Sequence, residues 1–330
     1  MALPRRDDAL ASALPAVLPD REMAALRRSL LAWYDAAGRS LAIRAPGIDP
    51  WAILVAEVMA QQTQVGRVEA PWRAFLDRFP DPAALAGASP AEAIRAWRGL
   101  GYNRRALDLH GAATAIAALG GQVPDDPLLL ERLPGIGRYT ARAVAATAYG
   151  RPVGPVDVNV RRVLGRLLIG DPTGLGPTQA QSAADRLVDR RRPADWNHAL
   201  MDLGALACRP ASPTCPGCPV RNWCRAAAAG PPPGRGDAAA DKFRQASPGH
   251  RSRATTAPIR FESTARWLRG RLVDRLRDAP SGAWVAISGP LGEHSASAVR
   301  TALGGLAADG LVELDAAGRA RLPVDRPFAP

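Results

Sequence analysis

The chain has 330 residues, room for two domains or three, and carries 43 Lys plus Arg against 31 Asp plus Glu, a formal net charge of +12. Hydrophobic residues make up 47% of it, enough for a sizeable core, which excludes global disorder; no run of about 18 apolar residues exists, so neither a membrane span nor a membrane partner is expected. The Arg5-Arg6 pair is followed at once by Asp7 and Asp8, and the next stretch is broken by Pro15, so no signal peptide is read and the expected location is cytoplasmic.

Excess cation favours polyanionic partners without choosing among them. Every cation but Lys242 is arginine, so any imine chemistry has a single lysine candidate, set in a Gly/Pro/Ala-rich stretch. After an N-terminal extension (1–19), residues 20–225 read as mostly helical. Asp20 is a candidate N-cap for a helix with Met23, Leu26, Leu30, Trp33 and Tyr34 at helical spacing, closed by Gly38. Asp49-Pro50 opens the next helix, whose apolar stripe is Trp51, Leu54, Val55, Val58 and Met59. Glu57, Gln61 and Gln64 fall on a second face of that helix. A solvated polar face is the ordinary reading, yet Gln61-Gln62-Thr63 is rich in amide and hydroxyl groups and free of charge, which suits contacts to base edges or sugars.

Further helices fit 90–98, 104–119, 138–149 and 158–168. Between two of them stands Leu133-Pro134-Gly135-Ile136-Gly137. Two glycines around one apolar residue permit a tight turn with exposed N–H groups, and with the helix opening at Arg138 they can grip a DNA phosphate without reading bases; an ordinary helix–helix turn is the plain alternative. Asp157 directly precedes a helix, which suits an N-cap; a capping carboxylate is held rigidly, so the cap is compatible with a catalytic role.

The chain's 4 cysteines, Cys208, Cys215, Cys218 and Cys224, follow C-x6-C-x2-C-x5-C. In a cytosolic chain such crowding points to a metal site rather than disulfides. Zinc and a [4Fe–4S] cluster both accept four thiolates, and a single C-x-x-C leans toward iron–sulfur. Residues 226–260, with Pro231-Pro232-Pro233 and scattered Arg, read as a flexible basic linker. In 261–323, helices at 264–278 and 295–308 precede 311–315 and 319–322, which flank a turn at Ala316-Ala317-Gly318. Helices followed by a hairpin make a winged-helix-like plan, able to bind DNA or protein or simply to pack; 324–330 is a tail.

In order along the chain stand E-V-M-A-Q-Q-T-Q-V (57–65), G-L-G-Y (99–102), L-P-G-I-G-R-Y-T-A (133–141), V-D-V-N-V-R-R-V (156–163) and N-H-A-L-M-D-L-G-A (197–205), closed by the cysteines. Over about residues 20–225 this resembles the MutY-type A/G-specific adenine DNA glycosylases of the helix–hairpin–helix superfamily. The resemblance implies an all-α helix–hairpin–helix glycosylase fold of two helical subdomains with an iron–sulfur cluster loop at 208–224, to which the winged-helix-like unit adds a small α+β part. It implies a [4Fe–4S] cofactor that shapes a DNA-binding loop, and a monomer whose partner is double-stranded DNA with an adenine mispair. Glu57 matches the family's catalytic acid and Asp157 its cation-stabilising carboxylate, with Tyr139 and Asn159 in support. Gln62 and Tyr102 match residues inserted into the duplex. Arg39, Arg44, Gln61 and Asp202 are the other candidate substrate contacts, and Gly135, Gly137 and Arg138 the phosphate grip. The chain departs from the family pattern at Ile43 (usually Trp), Ala60 (Leu), Val158 (Gly) and His198 (Gln). Residues 226–330 do not resemble the Nudix-like domain with which the family commonly reads 8-oxoguanine.

The chemistry suits two carboxylates. Adenine leaves once its N7 is protonated, which a partly desolvated Glu can do, and an ionised Asp stabilises the sugar cation left behind. Bifunctional relatives carry Lys where Tyr139 stands, so a monofunctional enzyme of base excision repair is expected. Two alternatives remain: a mismatch glycosylase for another base, such as thymine opposite guanine, and a catalytically weak DNA- or partner-sensing relative, against which the intact Glu57 and Asp157 weigh.

Overall fold

A computed structural model of the chain describes residues 18–229 and 260–324. Most of the expected linker, with Lys242, nearly all of the N-terminal extension and most of the tail lie outside the described residues. The chain divides into two compact units, Met1–Pro46 with Asp125–Pro127 and Gly137–Ser252, and Gly47–Pro124 with Leu128–Ile136 and Arg253–Pro330.

The first unit is built on helices Asp20–Ala37, Arg138–Tyr149, Val158–Ile169, Pro177–Leu187 and Pro193–Asp202. The apolar faces of all but Arg138–Tyr149 meet in one core that includes Leu26, Leu30, Leu164, Leu187, Trp196 and Leu203. Fully burying each such side chain is worth about 1.5–3 kcal/mol. Asp20 is not the cap expected of it. Pro19 takes the N-cap position, and Asp20 and Glu22 lie in the first turn, where the helix dipole favours negative charge. Gly38 closes this helix as expected, its N–H donating to the Tyr34 carbonyl. Pro177–Leu187 and Pro193–Asp202 escape the periodicity reading, although each announces itself by a proline at its first position. The latter runs directly into a π-helical turn, Leu203–Ala207, that delivers Cys208.

The second unit holds helices Pro50–Ala60, Glu69–Arg78, Pro82–Ala86, Pro90–Ala96 and Arg104–Ala118, and, from the C-terminal part of the chain, Ala265–Arg277 and Ala296–Ala308. Strands β1 (Glu313–Leu314) and β2 (Ala320–Arg321) pair antiparallel, Glu313 opposite Arg321, so the expected order of helices then hairpin is present. Thr264 and Ser295 cap their helices through their hydroxyls.

Pro50–Ala60 starts where the sequence says, with the Asp49 carboxylate accepting from the Trp51 N–H at 2.8 Å. Its burial is not confined to a stripe. Trp51 to Ala56, Val58 and Met59 are all buried, which makes it a core helix with Glu57 half-exposed. The helix also stops at Ala60, so Gln61 and Gln64 do not share a helical face with Glu57. Gln61 turns extended, and Gln62 takes a left-handed conformation at φ +54°. Arg105 gives the physical reason. Its buried guanidinium donates to the Val58 and Met59 carbonyls at 2.9 Å each, at the helix end where carbonyls run out of intrahelical donors. Among the described residues no helix is long and apolar enough to cross a membrane.

Candidate active site

Asp157 caps Val158–Ile169. One carboxylate oxygen accepts from the backbone N–H groups of Asn159 (2.9 Å) and Val160 (2.7 Å), and the other from the Asn159 side-chain amide (2.8 Å). The Asn159 carbonyl oxygen accepts in turn from Arg162 at 2.9 Å. Arg162 also donates to the carbonyls of Gly204 (2.8 Å) and Cys208 (3.1 Å), so one continuous chain of bonds runs from the carboxylate to the first cysteine. Arg166, one turn on, donates to the carbonyls of Arg209 and Pro210 at 2.8 and 2.7 Å. Sequence reasoning misses these two arginines. Their signal is the i, i+4 spacing of two cations on a helix that opens at a capping Asp. Asp157 also lines an open cavity of about 430 Å³ with Arg138, Tyr139 and the exposed Val158. The Tyr139 hydroxyl lies 3.5 Å from the Met201 sulfur.

A second cluster is buried in the same unit. Asp202 is 0% exposed and accepts from the Arg39 backbone N–H and Nε at 2.8 Å each, and from Arg44 at 3.0 Å. Burial pushes its carboxyl upward, but the hydrogen bonds from Arg44 and Arg39 outweigh that and hold it below the usual range. Both its oxygens are thus committed to the protein's own arginines. His198, one turn before it, is buried against the same charges. Desolvation, then the Arg44 charge, lowers its pKa to about 3, so the ring is neutral.

The cysteines are free, half-buried thiols. Cys208, Cys218 and Cys224 pack against the edge of the core, and burial drives the Cys218 thiol up to about 11, with its three fellow cysteines adding to the rise. Burial likewise raises the Cys224 thiol, and a cationic centre would favour the thiolate form of both. In donor chemistry the set fits an iron–sulfur cluster, although among the described residues no three potential ligands stand together as a metal-holding group.

In the second unit, Glu57 lies on Pro50–Ala60, and Gln61 reaches the Gly135 carbonyl at 3.4 Å. Gly135 sits at φ +71° with Asp108 so close that an added Cβ would meet the Asp108 Cβ at 2.5 Å; only glycine makes this turn. Gly137, the first residue of its segment in the first unit, takes the N-cap position of Arg138–Tyr149 and supplies no side-chain cap. Tyr102, 42% exposed, is left-handed at φ +46°, and it and Gln62 are the two non-glycine residues with positive φ among those described. Arg105 ties the two segments together, adding the carbonyls of Leu100 (3.2 Å) and Gly101 (3.1 Å) to those it takes from the helix end.

Residues 55–189 match the family model described as HhH-GPD superfamily base excision DNA repair protein. The chain is 42% identical over 274 residues to an adenine DNA glycosylase of Mycobacterium tuberculosis, covering 81% of this chain and 84% of that one. It is 43% identical over 217 residues to the adenine DNA glycosylase of Homo sapiens, covering 62% of this chain and 40% of that one. Among solved structures it is similar to a thermostable thymine-DNA glycosylase, with a TM-score of 0.60, 26% identity, and coverage of 64% of this chain and 98% of that one.

Proposed function

The chain belongs to the adenine DNA glycosylases of the HhH-GPD superfamily of base excision DNA repair proteins, and we propose that it hydrolyses the N-glycosidic bond of adenine mispaired with 8-oxoguanine or guanine in double-stranded DNA, acting as a monomer. The carrying observation is identity to an adenine DNA glycosylase at 42% across 84% of that protein's length. The base leaves the stack before reaction, at a cost of a few kcal/mol. Glu57 delivers a proton to adenine N7, which makes the base a competent leaving group. Asp157 stabilises the cationic sugar that remains, and its rigid cap, fixed by three hydrogen bonds, supports that role because a preorganised charge needs no rearrangement as the cation develops. Tyr139 borders the same cavity and Asn159 orients the carboxylate. Tyr139 offers no amine for an imine, so strand cleavage is not part of the cycle.

Gln62 and Tyr102 enter the duplex where the base departs. Arg39, Arg44, Gln61 and Asp202 serve as base and sugar contacts, Asp202 through the arginines it holds. Gly135, Gly137 and Arg138 grip a phosphate. Cys208, Cys215, Cys218 and Cys224 would hold a [4Fe–4S] cluster, which when bound supplies structural order to the loop. Base release from duplexes carrying A:8-oxoguanine, A:G and T:G is the test. Adenine release from the first two is expected, with Glu57→Gln still binding DNA but slowed roughly 10²–10⁴-fold. Release of thymine alone, or more than about a tenth of the activity surviving in Glu57→Gln, contradicts the proposal.

A further inference from the structure

Within the second unit, the C-terminal helix Ala265–Arg277 and the Gly99–Arg105 segment enclose a cleft of about 850 Å³ in which arginines outnumber aspartates. Both left-handed residues, Gln62 and Tyr102, line it. Strained backbone persists where its surroundings over-determine it, and such residues cluster at binding sites. The Arg266 guanidinium lies over the Tyr102 ring, 4.2 Å from its centroid. About three turns along the same helix face, Arg277 is buried and donates to the Ile94 carbonyl and to Asn103 Oδ1, each at 2.9 Å. One helix therefore anchors the residue next to Tyr102 and covers the Tyr102 ring.

The cations differ in their commitments. Arg269 is paired with Asp309, and Arg271 and Arg277 with Asp274. Arg67 donates to the Gly99 carbonyl at 2.9 Å, and among the described residues neither Arg67 nor Arg266 is paired with a carboxylate. Phe261, 56% exposed, adds an aromatic face at the start of this C-terminal part. Exposed cations lacking an acid, beside exposed aromatic rings, are the make-up of a groove for a nucleic-acid strand, in which cations meet phosphates and rings meet bases.

We propose that this cleft is a DNA-strand groove contributed by the C-terminal part of the chain, in which Arg266 and Arg67 take backbone phosphates and Phe261 stacks on a base, beside the duplex insertion already assigned to Tyr102. The proposal rests on the reading of the protein as a DNA glycosylase. It makes Arg266 a double-purpose residue, setting the pose of Tyr102 and neutralising a phosphate.

The test uses the full chain and a duplex with 2-aminopurine beside an A:8-oxoguanine pair. Arg266→Ala should weaken binding about tenfold and lower the salt slope of log K by about 1. Arg266→Lys should keep the salt slope but lose part of the 2-aminopurine quenching, because an ammonium carries the charge without the flat stacking surface. Phe261→Ala should lose quenching with the slope intact. Melting temperatures unchanged from wild type confirm that the exposed substitutions leave the fold in place. If Arg266→Ala and Phe261→Ala bind within twofold of wild type at an unchanged slope while wild type binds and releases adenine, the groove is wrong and the glycosylase reading stands. A wild type that neither binds DNA nor releases a base overturns both.

Discussion

His198 stands where the family pattern has Gln, and it is enclosed with Arg39, Arg44 and Asp202. Protonating it would add a cation to a buried site whose one carboxylate is already shared by two arginines. Its pKa is lowered from 6.5 to about 3, so the unfolded chain binds the proton first as pH falls. The stabilisation from keeping the ring neutral is whole above pH 6.5 and drains away between 6.5 and about 3. At pH 5 the loss is on the order of 2 kcal/mol. His198→Gln, which has nothing to titrate, should flatten the dependence of melting temperature on pH between 7 and 5. A variant that loses stability as steeply as wild type would place the acid sensitivity elsewhere. Asp202 fixes two arginine side chains rather than facing solvent.

Helix Pro50–Ala60 is long in apolar residues but short in turns, and its end is set by another element. Arg105, from the start of Arg104–Ala118, supplies the donors that the last carbonyls need. The same guanidinium holds the Gly99–Tyr102 loop by its carbonyls and takes the Thr63 hydroxyl at 3.1 Å. A buried arginine thus orders both left-handed segments at once. Arg105→Met keeps the volume of the stem but takes the donor away from the Met59 and Leu100 carbonyls, while the Val58 and Gly101 carbonyls keep the Gln61 N–H and the Trp97 Nε1–H. Each buried orphan costs about 1–3 kcal/mol, so the variant should be destabilised by about 3 kcal/mol or more and should bind DNA poorly even where it remains folded. Thermal unfolding and duplex binding measured side by side check this; a stable variant with intact binding would mean that water takes over the acceptors.

The C-terminal part of the chain shares a compact unit with Gly47–Pro124. Its attachments are specific: the Ala91 N–H donates to the Pro323 carbonyl at 3.0 Å, Arg95 to the Ala279 carbonyl at 3.2 Å, and Arg98 pairs with Asp278 at 2.6 Å. Together with the Arg277 bonds, these hydrogen bonds stabilise the unit by about 2–3 kcal/mol at roughly 1 kcal/mol each, less where they are exposed. Truncation after Ala229 removes them and should therefore lower the melting temperature by about 5–10 °C, besides weakening DNA binding. A truncated chain with an unchanged melting temperature and a salt slope reduced equally on every duplex would fit a tail that merely tracks phosphates.

What the sequence determined by itself was local. Asp49-Pro50, Asp157, Thr264 and Ser295 announced their helix starts because a cap and its first turn are neighbours in the chain. Gly135 announced its turn because a left-handed residue pressed against a neighbour admits no side chain. The family motifs named the candidate residues one by one. The tertiary structure decided which of them are engaged and with what. Asp202 is taken by arginines far away in sequence, the Gln61–Gln64 face is lost to a guanidinium from another helix, and Asp157 is wired through Asn159 and Arg162 to Cys208. Those choices follow from the path of the chain. A buried charge or an orphan carbonyl must find a partner wherever packing brings one within hydrogen-bond reach, and no spacing in the sequence records which partner that is.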